Sequence, residues 1–232
     1  MLILALDASQ IRGVVVLCDE RGTVFAQNAG STSVVHSEGL LTLLHETLEN
    51  NNYSLKDVDL FACGVGPGSF TGIRVALATV KALAQALGKP MQGVSSLKAL
   101  AYSYSANSSQ KVIPIVNAYQ KSVFVGAEEN GDWVDRSLAP EAVGSWAQGQ
   151  FAGKSYIFVG NGALVYAAEL RGSFPEGTVL ELENSEIEAQ GLAKAVSEAM
   201  TKTPRGVSHL DVHANYVRPS AAEAKLDKSD QN

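Results

Sequence analysis

The sequence runs twice through the same order of elements, and this limits the folds open to it. Leu4-Ala5-Leu6-Asp7-Ala8 has a counterpart in Pro114-Ile115-Val116-Asn117-Ala118. Val14-Val15-Val16 matches Val123-Phe124-Val125, and the turn at Gly22 before Thr23-Val24 matches the turn at Gly131 before Asp132-Trp133-Val134. The offset is 110 residues at the first pair and 109 at the turn. Strand, acid or amide, strand, glycine turn, strand, in that order and twice, points to one unit used twice. A chain of 232 residues holds one large or two small domains. The polar stretch from Ser103 to Gln110 is the candidate boundary. The expected organisation is therefore an N-terminal lobe over 1–105, a C-terminal lobe over 106–220, and a charged tail over 221–232 that is expected to be disordered.

Within the first unit, Leu2 to Leu6, Val14 to Cys18 and Thr23 to Gln27 read as strands, with a hairpin turn at Asp19–Gly22. Ser37 caps a helix to about Asn50, with Leu40, Leu41, Leu44 and Leu48 apolar. Val58 to Cys63 is a buried strand, Met91 to Val94 a short one, and Ser95-Ser96 open a helix to about Tyr104. The second unit continues with a helix near Pro140–Gln148, a strand Tyr156–Val159, a helix to about Leu170, a strand Val179–Leu182, a helix Ser185–Met200 and an extended segment Asn215–Arg218.

Between the buried strand and a long helix, Thr71 to Leu87, lies Gly64-Val65-Gly66-Pro67-Gly68-Ser69-Phe70-Thr71-Gly72. Glycine permits positive φ and close approach, and Ser69 or Thr71 can cap the helix. A phosphate cradle is one reading, since free amides at a helix N-terminus attract anions. The Walker pattern fails, because Ile73-Arg74 follow Gly72 instead of Lys-Ser/Thr. The dinucleotide spacing fails at Thr71, and the serine elbow fails at Ser69. A tight βα turn that packs closely is the other reading. On the helix, Arg74, Lys81 and Gln85 form one narrow polar stripe at i, i+7 and i+11. A surface helix has a wider polar face, so this one is buried on most sides, either in its own fold or against another chain.

Composition excludes some classes. A net charge of −6 argues against a protein that grips nucleic acid alone through a basic surface. The N-terminus enters an apolar strand with no basic leader segment, and no apolar run approaches the ~20 residues of a membrane span. Cys18 and Cys63 both fall in strands and read as buried thiols in a reducing cytoplasm. His209, Asp211 and His213 alternate and would share a face on a strand, as a metal set does, or lie in an exposed loop.

A duplicated unit of this kind, each copy opening on strand, acid and hairpin, resembles the actin-like ATPase superfamily. The resemblance implies an α/β fold of two actin-like (ribonuclease H-like) lobes, each a mixed β-sheet with flanking helices. Its phosphate-holding hairpins carry an acid followed by glycine and Thr or Ser. Here they read Asp7-Ala8-Ser9-Gln10 and Asn117-Ala118-Tyr119-Gln120, with no glycine and, in the second, no acid. Within that superfamily, Gly66-Pro67-Gly68-Ser69-Phe70-Thr71-Gly72-Ile73-Arg74 is similar to the signature of the TsaB (YeaZ) family. Leu6-Asp7-Ala8-Ser9, His36-Ser37-Glu38, Gly93-Val94-Ser95-Ser96-Leu97 and Tyr216-Val217-Arg218 match it too. Many members carry Asp-Ala-Arg where this chain has Asn117-Ala118-Tyr119.

The resemblance implies a non-catalytic scaffold and activator subunit of the bacterial complex that installs N6-threonylcarbamoyl on the adenosine beside the anticodon of ANN-decoding tRNAs. The implied partners are TsaD, as a heterodimer, and the ATPase TsaE; tRNA is met only indirectly, and the place is the cytoplasm. TsaD holds a metal through an H-x-x-x-H pair, whereas His36 here has Leu40 at i+4 and His45 only nine residues on. No catalytic residue, metal or cofactor is expected on the chain alone, and a nucleotide would sit only at a joint site with the partner. The implied interface is Ser37, Leu40, Leu41 and Leu44 on one helix with Ile73, Arg74, Ala76, Leu77, Val80, Lys81 and Ala84 on the other, and the same helices would support a homodimer. The alternative is an active enzyme of the actin-like fold, a small-molecule kinase or a metallopeptidase-like protein.

Overall fold

The computed structural model describes residues 1–30, 37–105, 110–151 and 155–217, with only the backbone of Ser37 and Glu38. His36, Arg218 and the tail over 221–232 therefore lie outside the described residues.

Two five-stranded sheets repeat one topology. In the first, β1 (Ile3–Asp7), β2 (Val14–Cys18) and β3 (Val24–Ala29) form an antiparallel meander, and β4 (Leu60–Gly64) and β5 (Met91–Val94) add in parallel on the other side, giving the order β3-β2-β1-β4-β5. In the second, β6 (Lys111–Asn117), β7 (Val123–Glu129) and β8 (Asp132–Leu138) are the meander, and β9 (Ser155–Val159) and β10 (Val179–Glu183) are the parallel pair, in the order β10-β9-β6-β7-β8. The repeated order in the sequence is thus a repeated sheet. Gly22 and Gly131 supply its turns at φ 80° and 86°.

Every residue of β1, β2 and β4 is buried, because both faces of the first sheet are covered. Leu4, Leu6, Leu17 and Phe61 pack on one face under α1 (Ser37–Glu49) and α2 (Phe70–Leu87). Ile3, Ala5, Val16 and Leu60 pack on the other under α3 (Ser96–Tyr102) and α7 (Ala189–Lys202). The second sheet carries α4 (Val143–Gln150), α5 (Asn161–Val165) and α6 (Ala167–Gly172) around Ile115, Val125 and Phe158. Helix α3 packs on β6 and β7 of the second sheet, shares an apolar cluster with Ile3 and Leu60 of the first, and bonds Asp7 of β1 through Ser96, so it ties the lobes together.

The C-terminal part of the chain returns to the first lobe. Helix α7 follows the second sheet in sequence, yet it packs on β1, β2, β3, β5 and α3 of the first lobe. Its inward face, from Ala189 and Leu192 to Val196 and Met200, is buried there. Gly191 permits the approach, since a Cβ on it would lie 2.4 Å from the Ala99 carbonyl of α3. The helix begins at Ala189 and not at Ser185, because Glu188 is extended and the Ile187 N–H is taken by Gln10 Oε1 at 3.0 Å. The helix expected to run to Leu170 is broken at Tyr166, whose hydroxyl donates to Asn117 Oδ1 at 3.2 Å. The segment from Asn215 joins no strand; its N–H bonds the Val65 carbonyl at 2.7 Å.

Candidate functional site

The glycine loop is built to lie against the first hairpin of its own chain. A Cβ on Gly64 would stand 1.7 Å from Asp7 Oδ2, one on Gly68 2.4 Å from the Ser9 carbonyl, and one on Gly72 1.8 Å from the Ala8 carbonyl. Gly66 has φ 99°, a value that suits glycine, and a cis peptide joins it to Pro67. The Ser69 N–H donates to the Ser9 carbonyl at 2.7 Å, and Ser69 Oγ caps α2 by accepting from the Gly72 N–H at 3.2 Å. The close-packed βα turn is therefore the arrangement present. An amide that a phosphate cradle would use is spent on Ser9.

Beneath the loop sits Asp7, the acid that the actin-like resemblance places at the nucleotide. It is 1% exposed. Its Oδ1 accepts from the Ser9 N–H at 2.7 Å, and its Oδ2 accepts from Ser96 Oγ at 2.5 Å. Burial pushes its carboxyl above the ordinary value of 3.8, against the pull of the bonds from Ser9 and Ser96. It faces the loop and not the cleft between the lobes. The two thiols are buried and free, as expected; burial raises both, Cys18 to about 12.

That cleft is a cavity of about 680 Å³ between the two hairpins. Pro67, Gly68, Ser69, Phe70 and Thr71 of the motif line one side, and Asn117, Tyr119 and Gln120 the other. Phe70 stacks on Tyr216 at 5.2 Å between ring centroids, and the Arg74 guanidinium lies 5.1 Å from the Phe70 ring. Behind the cleft the lobes are clamped by Asp135 of β8. It accepts from Ser95 Oγ of the first lobe at 2.9 Å, from Trp133 Nε1 at 2.7 Å and from Asn215 Nδ2 at 2.7 Å. Burial raises its carboxyl to about 6, against those three bonds. Lys98 of α3 and Glu198 of α7 form an ion pair, and Tyr102 donates to the same carboxylate. Asp135 is not singled out by the sequence, and Ser96 and Asn215 enter there only as part of a helix start and as the start of an extended segment, with no sign of the bonds they make.

The two helices expected at a partner interface each divide into an inward and an outward face. On α2, Ile73, Ala76, Val80 and Ala84 recur every three or four residues and are at most 2% exposed; Ala76, Val80 and Ala84 pack on the first sheet with Leu40 and Leu44 of α1, and Ile73 lies against the Gly66 turn. These six face the chain's own core, because the first sheet needs a cover of that width. Of the remainder, Leu41 is 49% exposed, Arg74 is exposed, and Leu77 and Lys81 are half-buried. The outward row of α2 is Ala78, Ala82, Gln85 and Ala86. Ser37 is the first residue of α1, and its side chain lies outside the described residues. His45 pairs with Glu49 on the solvent side at 3.2 Å. His209 and Asp211 fall in a turn and not on a strand, and no metal-holding cluster exists among the described residues. Helix α2, 18 residues at a mean hydropathy of 1.2, is long and apolar enough to cross a membrane by length and composition alone, and its apolar face at Ala76, Val80 and Ala84 is spent on the first sheet.

The profile of the family described as "TsaD: tRNA N6-adenosine threonylcarbamoyltransferase" matches residues 30–174. Over 135 residues the chain is 32% identical to the tRNA threonylcarbamoyladenosine biosynthesis protein TsaB of Escherichia coli (strain K12), covering 55% of this chain and 58% of that protein. The match therefore spans a little over half the length of that relative. A solved structure from Pseudomonas aeruginosa, described as an uncharacterized protein with similarity to peptidase YEAZ, superposes at a TM-score of 0.76 and 27% identity over 94% of this chain and 99% of that one. The fold extends to a putative N-acetylmannosamine kinase of Listeria monocytogenes, at a TM-score of 0.52 and 13% identity over 88% of this chain and 100% of that one. The GPGSFTGIR loop, the doubled sheet and these matches agree: the chain has the fold of the actin-like proteins and belongs to the TsaB (YeaZ) family.

Proposed function

We propose that this chain is the non-catalytic scaffold and activator subunit of the machinery that installs N6-threonylcarbamoyl on the adenosine beside the anticodon of ANN-decoding tRNAs. One observation carries the reading: α2 turns an alanine-lined row, Ala78, Ala82 and Ala86, away from its own core. Small residues let a second helix approach closely, and Leu41, Leu77 and the stripe of Arg74, Lys81 and Gln85 would frame the contact. The occupant is the larger paralogue TsaD, with the ATPase TsaE joining the pair in the cytoplasm. A second copy of this chain would take the same face when TsaD is absent. Nucleotide would bind, if at all, at a site shared with the partner, and tRNA contact would be indirect. The burial of Asp7 under Ser96 supports a chain without its own ATPase chemistry, since a carboxylate so enclosed is not free to ligate Mg²⁺.

Mixing the purified chain with TsaD from the same organism, followed by size-exclusion chromatography with light scattering, tests this. The expected result is a one-to-one complex that Ala82→Arg abolishes while the variant stays folded. No complex, or ATP turnover by the chain alone, would overturn the reading.

A further inference from the structure

The edge of the first sheet is covered by a later part of its own chain. Strand β5 is the outermost strand on its side, and an open edge invites foreign strands to pair. After α7 the chain turns at Gly206, with φ 65°, where a Cβ would stand 2.7 Å from the Met91 carbonyl. Val207 and Met91 then exchange both backbone bonds, at 2.9 and 2.7 Å. Val212 goes in deeper. It is 4% exposed and joins Cys63, Val80 and Ala84 in the core under α2. It lies over Gly93, where a Cβ would stand 3.1 Å from Val212 Cγ1. Further on, the Asn215 N–H donates to the Val65 carbonyl at 2.7 Å, at the entry to the glycine loop. Its Nδ2 donates to Asp135 of the second lobe, also at 2.7 Å. Tyr216 then stacks on Phe70, the first residue of α2, at 5.2 Å between centroids.

The segment is thus fixed at four successive points, and the last two fall on the loop and the helix start. On its other side the loop is tied to the first hairpin, through the Ser69 N–H and the Ser9 carbonyl. Helix ends are the places where a helix opens first, and a ring stacked on the first residue opposes that opening. A helix held in one orientation before it meets a partner loses less freedom on binding. We propose that residues 203–217 are a strap that fixes the glycine loop and the first turn of α2, with Tyr216 as its positioning residue. The strap thereby holds the outward row of α2 in the orientation the partner meets. For the identity of that partner the proposal rests on the scaffold reading; for the strap itself it does not.

Amide hydrogen exchange of the full chain, read residue by residue by NMR, is the test, together with calorimetric titration of TsaD. In Tyr216→Ala the amides of Ser69, Gly72 and Ile73 should exchange about tenfold faster, while Phe158 in β9 keeps its wild-type rate. Affinity for TsaD should fall by about fivefold or more. Tyr216→Phe keeps the ring and should restore both. Val212→Ala loosens the strap at a side chain too buried to touch a partner, and should change exchange and affinity in the same direction as Tyr216→Ala. Unchanged exchange in both alanine variants, unchanged affinity in both, or a Tyr216→Phe chain as loose as Tyr216→Ala would each overturn the proposal. So would weaker binding of Tyr216→Ala with wild-type exchange, since Tyr216 would then act by touching the partner itself. The exchange comparison decides the strap alone, so a wild-type chain that fails to bind TsaD would sink the scaffold reading without touching it.

Discussion

Ser96 Oγ donates to Asp7 Oδ2 at 2.5 Å and accepts from the Gly66 N–H at 3.1 Å. One hydroxyl thus joins the end of β1, the glycine loop and the start of α3. A carboxyl that the superfamily would use at a nucleotide is here a bracket for the loop.

Asp7→Asn should stabilise the chain above neutral pH. The carboxyl is raised by burial from its ordinary 3.8, so the folded chain keeps a proton that the unfolded chain has released. Stability from this group is greatest at low pH and falls as the pH climbs from 3.8 through the higher folded value. Asparagine buries no charge and can accept from the Ser9 N–H, but its NH₂ meets Ser96 Oγ as a donor and the Ser96 O–H loses its acceptor, so the gain is confined to high pH. Urea midpoints at pH 3.5 and pH 8 check this: the variant's advantage should widen with pH, and a lower midpoint than wild type at pH 8 would refute it.

Asp135 gives a slope in a narrower window. Its carboxyl rises to about 6, so between the ordinary 3.8 and that value its contribution to stability declines with increasing pH. The limit is about 1.4 kcal/mol per pH unit for one proton. Asp135→Asn, which also sets two amide donors against each other at Asn215, should be less stable at low pH and should lose this slope. Denaturation series from pH 4 to pH 6.5 will read it; identical slopes in the two proteins would show that Asp135 does not titrate there.

Two glycine-to-alanine changes in helices should move in opposite directions. Gly72→Ala drives a Cβ toward the Ala8 carbonyl and should cost about 2 kcal/mol or more. Gly149→Ala in α4 meets nothing within 4 Å and should gain up to about 1 kcal/mol from helix propensity. Thermal melts of both decide whether the loop's contact with the first hairpin is as tight as its geometry.

The two faces of α2 should separate folding from assembly. Val80 is fully buried, and Val80→Asp should cost about 3 kcal/mol through an unpartnered charge. Ala82 is exposed, and Ala82→Arg should stay within about 0.5 kcal/mol of wild type. Chemical denaturation measures both. Equal losses would mean that the outward row is also structural.

The strands and glycine turns were legible because alternation, β-branched runs and glycines at positive φ act locally. Val14–Cys18 and Met91–Val94 are read to the residue. The rotation of α2 was not legible. Alanine occupies its inward face at 76 and 84 and its outward face at 78, 82 and 86, so hydrophobicity alone cannot say which side meets the sheet. The partners of Asp7 and Asp135 were equally hidden, since they lie 89 and 80 residues away at Ser96 and Asn215. A sequence pattern shows that a polar residue sits in a strand and does not show what reaches it across the fold.

Helix α7 has a consequence for synthesis. The N-terminal half leaves the ribosome first, but one face of its sheet stays only partly covered, by α3, until the stretch from Ala189 to Met200 has been made and has folded back over it. Ile3, Val16 and Leu60 would wait partly covered through most of translation, in reach of chaperones. A fragment ending before Ala189 would leave that face without the α7 part of its cover.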